Sequence, residues 1–108
     1  MAQVYLKDKK IDIYTIEYIL DDLLQEIEVK VMIAENIWAY YRQASAKEYY
    51  AAAQVNYKVD AIFKIAWREG VAPDMTISYK GKEYNITRID DFEGYKQDLT
   101  IYATTKGA

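Results

Sequence analysis

The sequence predicts a mainly β fold: a small antiparallel β-barrel or sandwich of six to seven strands, with one short α-helix at about residues 45–54. Three observations predict it. Apolar residues recur with a period of two over most of the chain, the spacing of strands with one buried face. Breaks rich in Gly, Asp or Pro separate these runs at the short intervals typical of barrels and sandwiches. The chain has 108 residues, enough for one modest core, so residues 1–108 read as a single domain.

The first strand is expected from Ile11 to Ile19, a run rich in β-branched residues and Tyr. Leu20 to Gln25 then reads as a loop or a single helical turn. Glu26 to Ile33 alternates again, with Val29, Val31 and Ile33 on one face. Ala34-Glu35-Asn36 interrupts the alternation, and Ile37 to Tyr41 resumes as a strand. Ser45 to Gln54 breaks the pattern, because it is Ala-rich and opens with Ser45 and, three residues on, Glu48. That spacing makes a capping box and predicts a helix of two to three turns. A helix so short is marginal alone and must pack on the sheet or on another subunit.

The clearest strand runs from Val55 to Trp67. Val55, Tyr57, Val59, Ala61, Phe63, Ile65 and Trp67 share one face, with Ile62 and Ala66 as apolar exceptions on the other. Such a strand is long enough to bend round a barrel. Residues 69–74 read as a turn. Met75, Ile77 and Tyr79 then alternate with Thr76, Ser78 and Lys80, and Gly81 supplies the positive φ of a tight hairpin. Tyr84, Ile86 and Arg88 are expected along one face of the return strand. Asp90 to Gly94 reads as a polar turn, and Leu99, Ile101 and Ala103 mark the last strand.

Composition removes most catalytic chemistry. There is no Cys, hence no disulfide, thiolate metal site or Cys nucleophile. There is no His, which removes the commonest general base and the commonest metal ligand. No Ser can therefore complete a Ser-His-Asp triad, and no Gly-rich phosphate loop is present. The acidic pairs Asp21-Asp22 and Asp90-Asp91 fall in expected turns, where Asp bonds nearby backbone; metal binding or carboxylate hydrolysis is the lesser reading. No catalytic residue, metal or cofactor is expected, and the chain reads as a non-enzyme. The start of the chain lacks the basic-then-apolar order of a signal peptide, and no apolar run is long enough to span a bilayer.

The net charge is −3, which gives no electrostatic footprint for non-specific duplex binding. The aromatics carry more. Twelve Tyr are present, with Trp38, Tyr40 and Tyr41 clustered and Tyr49 and Tyr50 adjacent. Stacked beside Arg42 and Lys47 they could bind single-stranded nucleic acid, as small barrels do. Protein contact is the stronger reading, since Tyr and Trp are enriched where proteins meet, and one of each adjacent pair points to the core or an interface.

Three stretches carry a family pattern. They are Ile37 to Tyr41 followed by Ser45 to Ala52, the strand Ala61 to Arg68 ending in an Arg, and Met75 to Asp90 around Tyr-Lys-Gly-Lys-Glu-Tyr, with the strand Leu99 to Ala103 closing the order. This order and spacing resemble the head closure proteins of long-tailed bacteriophages, also called stoppers or head–tail joining proteins. The resemblance covers nearly the whole chain. One departure is visible: the loop from Leu20 to Glu26 lacks the Gly expected there.

The resemblance implies a small β-barrel with a helix and mobile loops, and a structural role in the virion. Such proteins form a ring, expected to be dodecameric, beneath the portal and adaptor, while a monomer in isolation is compatible with the family. The ring closes the DNA exit channel after packaging and offers the docking surface for the tail. It faces packaged DNA without sequence-specific binding and involves no membrane. Synthesis is expected in the host cytoplasm. Two segments are candidates for gating, Leu20 to Gln25 and Arg42 to Gln54. The second is preferred, with Arg42, Ser45, Lys47, Glu48, Tyr49 and Tyr50 exposed round a marginal helix; the competing reading has that helix only plug the barrel end. Trp38, Tyr40 and Tyr41 are the candidate subunit-contact aromatics. The alternatives are a neighbouring tail-completion or adaptor component and, from another class, a barrel binding single-stranded nucleic acid.

Overall fold

The structure, a computed structural model, describes residues 6–44, 59–91 and 97–106. Among them are six strands: β1 (Lys9–Leu20), β2 (Glu26–Gln43), β3 (Ala61–Ala66), β4 (Thr76–Tyr79), β5 (Lys82–Asp90) and β6 (Asp98–Thr105). They close into an antiparallel barrel in the order β1-β2-β3-β6-β5-β4, with β4 returning to β1. The described residues contain no helix. The helix expected at 45–54 and residues 55–58 of the strand expected from Val55 to Trp67 lie outside them. The described remainder is shorter than expected: the strand starts at Ala61 and ends at Ala66, and Val59, expected on the face of Phe63, packs on Ile62 instead.

Side chains alternating off six strands fill the interior. Ile11, Ile13, Phe63, Ile65, Ile77, Leu99 and Ile101 are its buried aliphatic and aromatic body. Small Ala34, Ala39, Ala61 and Ala103 sit among them, leaving room for large neighbours in a narrow barrel. Tyr41, Phe63, Tyr79 and Tyr84 form the aromatic part, with ring centroids 4.8 Å apart for Tyr41–Tyr79 and 5.4 Å for Phe63–Tyr84. Ile62, one of the two apolar exceptions on the outer face of β3, is buried as well. It packs on Val59, Ala44 and Tyr102, so a small second cluster lies outside the barrel wall.

Two further expectations are corrected. Ala34 to Asn36 does not separate two strands, because β2 runs unbroken through it. Ile11 pairs with Ile37, Ile13 with Ala34 and Tyr14 with Met32. Each of the two steps therefore absorbs one extra residue of β2, as β-bulges do. Two such slips restore the parity, so Ile33 before the bulges packs on the same core as Ile37, Ala39 and Tyr41 after them. Asn36 takes the left-handed φ of 51° at the bulge, and its N–H donates to Asp12 Oδ1 at 2.7 Å.

The second correction concerns β5. Ile86 pairs with Ala103 and Arg88 with Tyr102, so Thr87 is an extra residue. The parity flips there. Arg88 turns outward, 4.4 Å from the Tyr102 ring centroid, and Ile89 packs against the core instead. The β4–β5 turn follows the sequence: Lys80 (φ 49°) and Gly81 (φ 77°) are both left-handed, the two-residue type I′ geometry that matches strand twist.

Candidate functional site

Only part of β1 and β2 belongs to the barrel wall. β1 meets β4 through Asp12, Ile13 and Tyr14 alone, and β2 meets β3 only from Tyr40 to Gln43. From Thr15 to Leu20, β1 pairs with nothing but β2, in unbroken register down to Leu20 opposite Glu26. Residues 15–31 are therefore a two-stranded arm projecting from the barrel, and the molecule is 60 Å long but under 30 Å across. Such a ribbon has no core of its own.

The arm's tip is built by Asp21. Its Oδ1 accepts from the N–H of Leu23 and of Gln25, both at 2.9 Å. This is the Asx chemistry expected of a turn Asp. Leu24 occupies a left-handed φ of 61°, within the loop that lacks the expected Gly. The turn thereby presents Leu20, Leu23 and Leu24 to solvent, with Leu23 76% and Leu24 79% exposed. Tyr18 and Ile19 are exposed beside them. Carboxylates surround this apolar tip: Glu17, Asp21, Asp22, Glu26 and Glu28, against the single base Lys30. Lys30 lies at the arm's root, its Nζ 4.3 Å from the Tyr14 ring centroid.

A second feature lies further along the same strands. A cleft of about 490 Å³ is walled by Ile37, Trp38, Ile65 and Trp67 and rimmed by Lys7, Lys10 and Arg68. Trp38 is 55% exposed. The Lys10 ammonium sits 4.1 Å from its ring centroid and donates to Asn36 O at 3.2 Å, so the bulge positions it. Lys7 is paired with Asp98 at 3.2 Å. Arg68 Nε is buried and makes no hydrogen bond.

Of the aromatics singled out from the sequence, Trp38 lies on this cleft. Tyr40 is half-buried, one step along β2. Tyr41 is the inward member of the pair and packs on Phe63 and Tyr79. Arg42 sits near the end of β2, opposite Ile62. Ser45, Lys47, Glu48, Tyr49 and Tyr50 lie outside the described residues. What can be seen is the root of that segment. Gln43 pairs with Ala61, and the Ala44 N–H donates to Asp60 O at 3.0 Å, so the connection 44–60 leaves and re-enters the barrel at one point. Asp60 fixes the re-entry, its Oδ2 accepting from Thr104 Oγ1 at 2.7 Å and from the Thr105 N–H at 2.8 Å.

Sequence reasoning missed the arm and the cleft cations. Leu20-Asp21-Asp22-Leu23-Leu24 did carry a signal, since three leucines in one turn contradict the polar habit of turns. Lys10 and Arg68 carried none, because only the fold brings them together. Among the described residues, no group of three or more His, Cys, Asp and Glu could hold a metal ion, and no helix is long and apolar enough to cross a membrane.

Comparisons with known proteins follow the same lines. A solution structure of protein SF1141 from Shigella flexneri 2a superposes with a TM-score of 0.80 at 17% identity, with 98% of each chain covered. At that identity the likeness establishes the fold. A search of the curated proteins finds no match. The family whose model matches is described as phage head completion protein, over residues 6–106.

Proposed function

Since the chain belongs to the phage head completion protein family, structural components of the phage head, we propose that it closes the DNA exit channel after packaging and presents the surface on which the tail docks. The observation that carries this reading is a family match spanning almost the whole barrel and its arm, from residue 6 to residue 106. Its partners in this reading are the portal or adaptor ring on one side and tail proteins on the other, within a homo-oligomeric, dodecameric ring. The whole chain acts as one domain.

The physical chemistry supports it. A channel that holds packaged DNA must not bind phosphate, and the chain carries a net charge of −3. A closed barrel leaves few strand edges that could mispair in a crowded assembly. The connection rooted at Gln43 and Ala61, with Arg42 at its start and Ser45, Lys47, Glu48, Tyr49 and Tyr50 within it, is the proposed gate. Trp38 and Tyr40 are the proposed outward aromatics for subunit contact, backed by Tyr41 from inside. No catalytic step is proposed.

The test is electron microscopy of a lysate from a phage lacking this gene. Emptied heads beside complete, unattached tails are expected. Intact infectious virions would sink the reading. Filled heads that stay filled, with defective tails, would assign the chain to tail completion instead.

A further inference from the structure

The arm and the cleft are chemical opposites. The arm presents apolar Leu23 and Leu24 ringed by carboxylates, of which Asp22, Glu26 and Glu28 have no cation beside them among the described residues. The cleft presents Trp38 and Trp67 beside Lys10 and Arg68, two cations with no carboxylate partner among the described residues. Arg68 also brings a buried Nε–H with no acceptor. An unmet buried donor is costly until something accepts from it.

The two features cannot meet within one molecule. Lys10 and Leu20 lie ten residues apart on one strand, about 33 Å when extended. The strand between them is hydrogen-bonded to β2 throughout most of that length, so the tip cannot fold back. An arm can reach such a cleft only on another copy.

We propose that the hairpin arm of one copy inserts its Leu23–Leu24 tip into the Trp38 cleft of the next, with tip carboxylates facing Lys10 and Arg68. Each copy has one arm and one cleft, so the contact is heterologous. Repeated, it makes a ring if the rotation closes and a filament if it does not. This deepens the ring reading above and rests on it for its biological setting, while the contact itself is argued from opposite charge and exposed apolar surface.

The chain has no Cys, so introduced thiols are unique. Leu23→Cys and Trp38→Cys proteins, each checked for an unchanged melting curve, are mixed at high concentration and treated with a short bismaleimide. The same pair, combined in one chain, is assembled into virions and treated likewise. The expected result is a Leu23-to-Trp38 crosslink at least tenfold above either homodimer, and a ladder of oligomers from the double variant. Lys10→Glu should cut the yield about tenfold, and adding Asp22→Lys should restore much of it. Absence of the crosslink in both settings overturns the proposal. So does indifference to Lys10→Glu, or capture of Leu23 by another virion protein, which would assign the arm to the next layer. The gene-deletion phenotype is independent: emptied heads without the crosslink would leave head closure standing and remove this contact alone.

Discussion

Leu24 holds a backbone conformation that L residues avoid. At φ 61° its Cβ crowds the following carbonyl, a cost of about 1–2 kcal/mol that Gly would not incur. Leu24→Gly should therefore stabilise the isolated protein, by roughly 0.5–1 kcal/mol after the extra unfolded-chain entropy of Gly is counted, read as a higher melting temperature in calorimetry. The same change should weaken subunit contact if the tip docks as proposed. This residue also shows how far the sequence could be read. The missing Gly in the loop from Leu20 to Glu26 was visible, and so was the turn role of Asp21. That a leucine would carry the left-handed φ was not, because propensity assigns such positions to Gly, Asn or Asp.

At the scale of the element, strand identity was legible and strand parity was not. The alternation of Leu99, Ile101 and Ala103, and of Ile77 and Tyr79, maps directly onto buried positions. Arg88 lies on the face opposite to the one its alternation predicts, because one extra residue, Thr87, flips everything after it. A bulge leaves no mark in hydropathy, since it changes phase and not composition. The 34–36 interruption reads as a break because two bulges in succession disturb the alternation without ending the strand. The arm was hidden for a different reason. Its alternation resembles that of a wall strand, and only the partners that β1 pairs with show where the wall stops. The arm should also be the least protected part of the sheet. Its amides, in residues 15–31, are shielded by one partner strand, while those of β3 and β6 lie inside the barrel wall. Hydrogen exchange should show the arm exchanging at least a hundredfold faster than Phe63 or Ile101; equal protection would mean the arm is packed against something in solution.

For the whole molecule, stability is tied to keeping the aromatic interior neutral. Burial, the Tyr41 hydroxyl and the neighbouring Tyr79 push the Tyr84 phenol up to about 12, and burial with the Glu83 contact also raises Tyr14. A raised folded-state value favours the protonated form in the fold. The contribution is fully present below the unfolded tyrosine value near 10 and is lost as pH climbs from about 10 toward 12. Denaturant titrations across that window should show stability falling with pH, and Tyr84→Phe should flatten the slope; an unchanged slope would place the sensitivity elsewhere. The barrel's closure has a further consequence, in the order of events during folding. β1 and β2 are sequence neighbours, and such hairpins form in microseconds. The seam between β1 and β4 joins residues more than sixty positions apart through three pairs, and contacts so distant close late. For that interval the leucine-tipped arm exists in flickering form before the barrel that carries it. Its carboxylates then serve as gatekeepers against self-association. The same charges repel arm from arm and draw arm toward cleft, so partner choice is settled by sign before any tight packing begins.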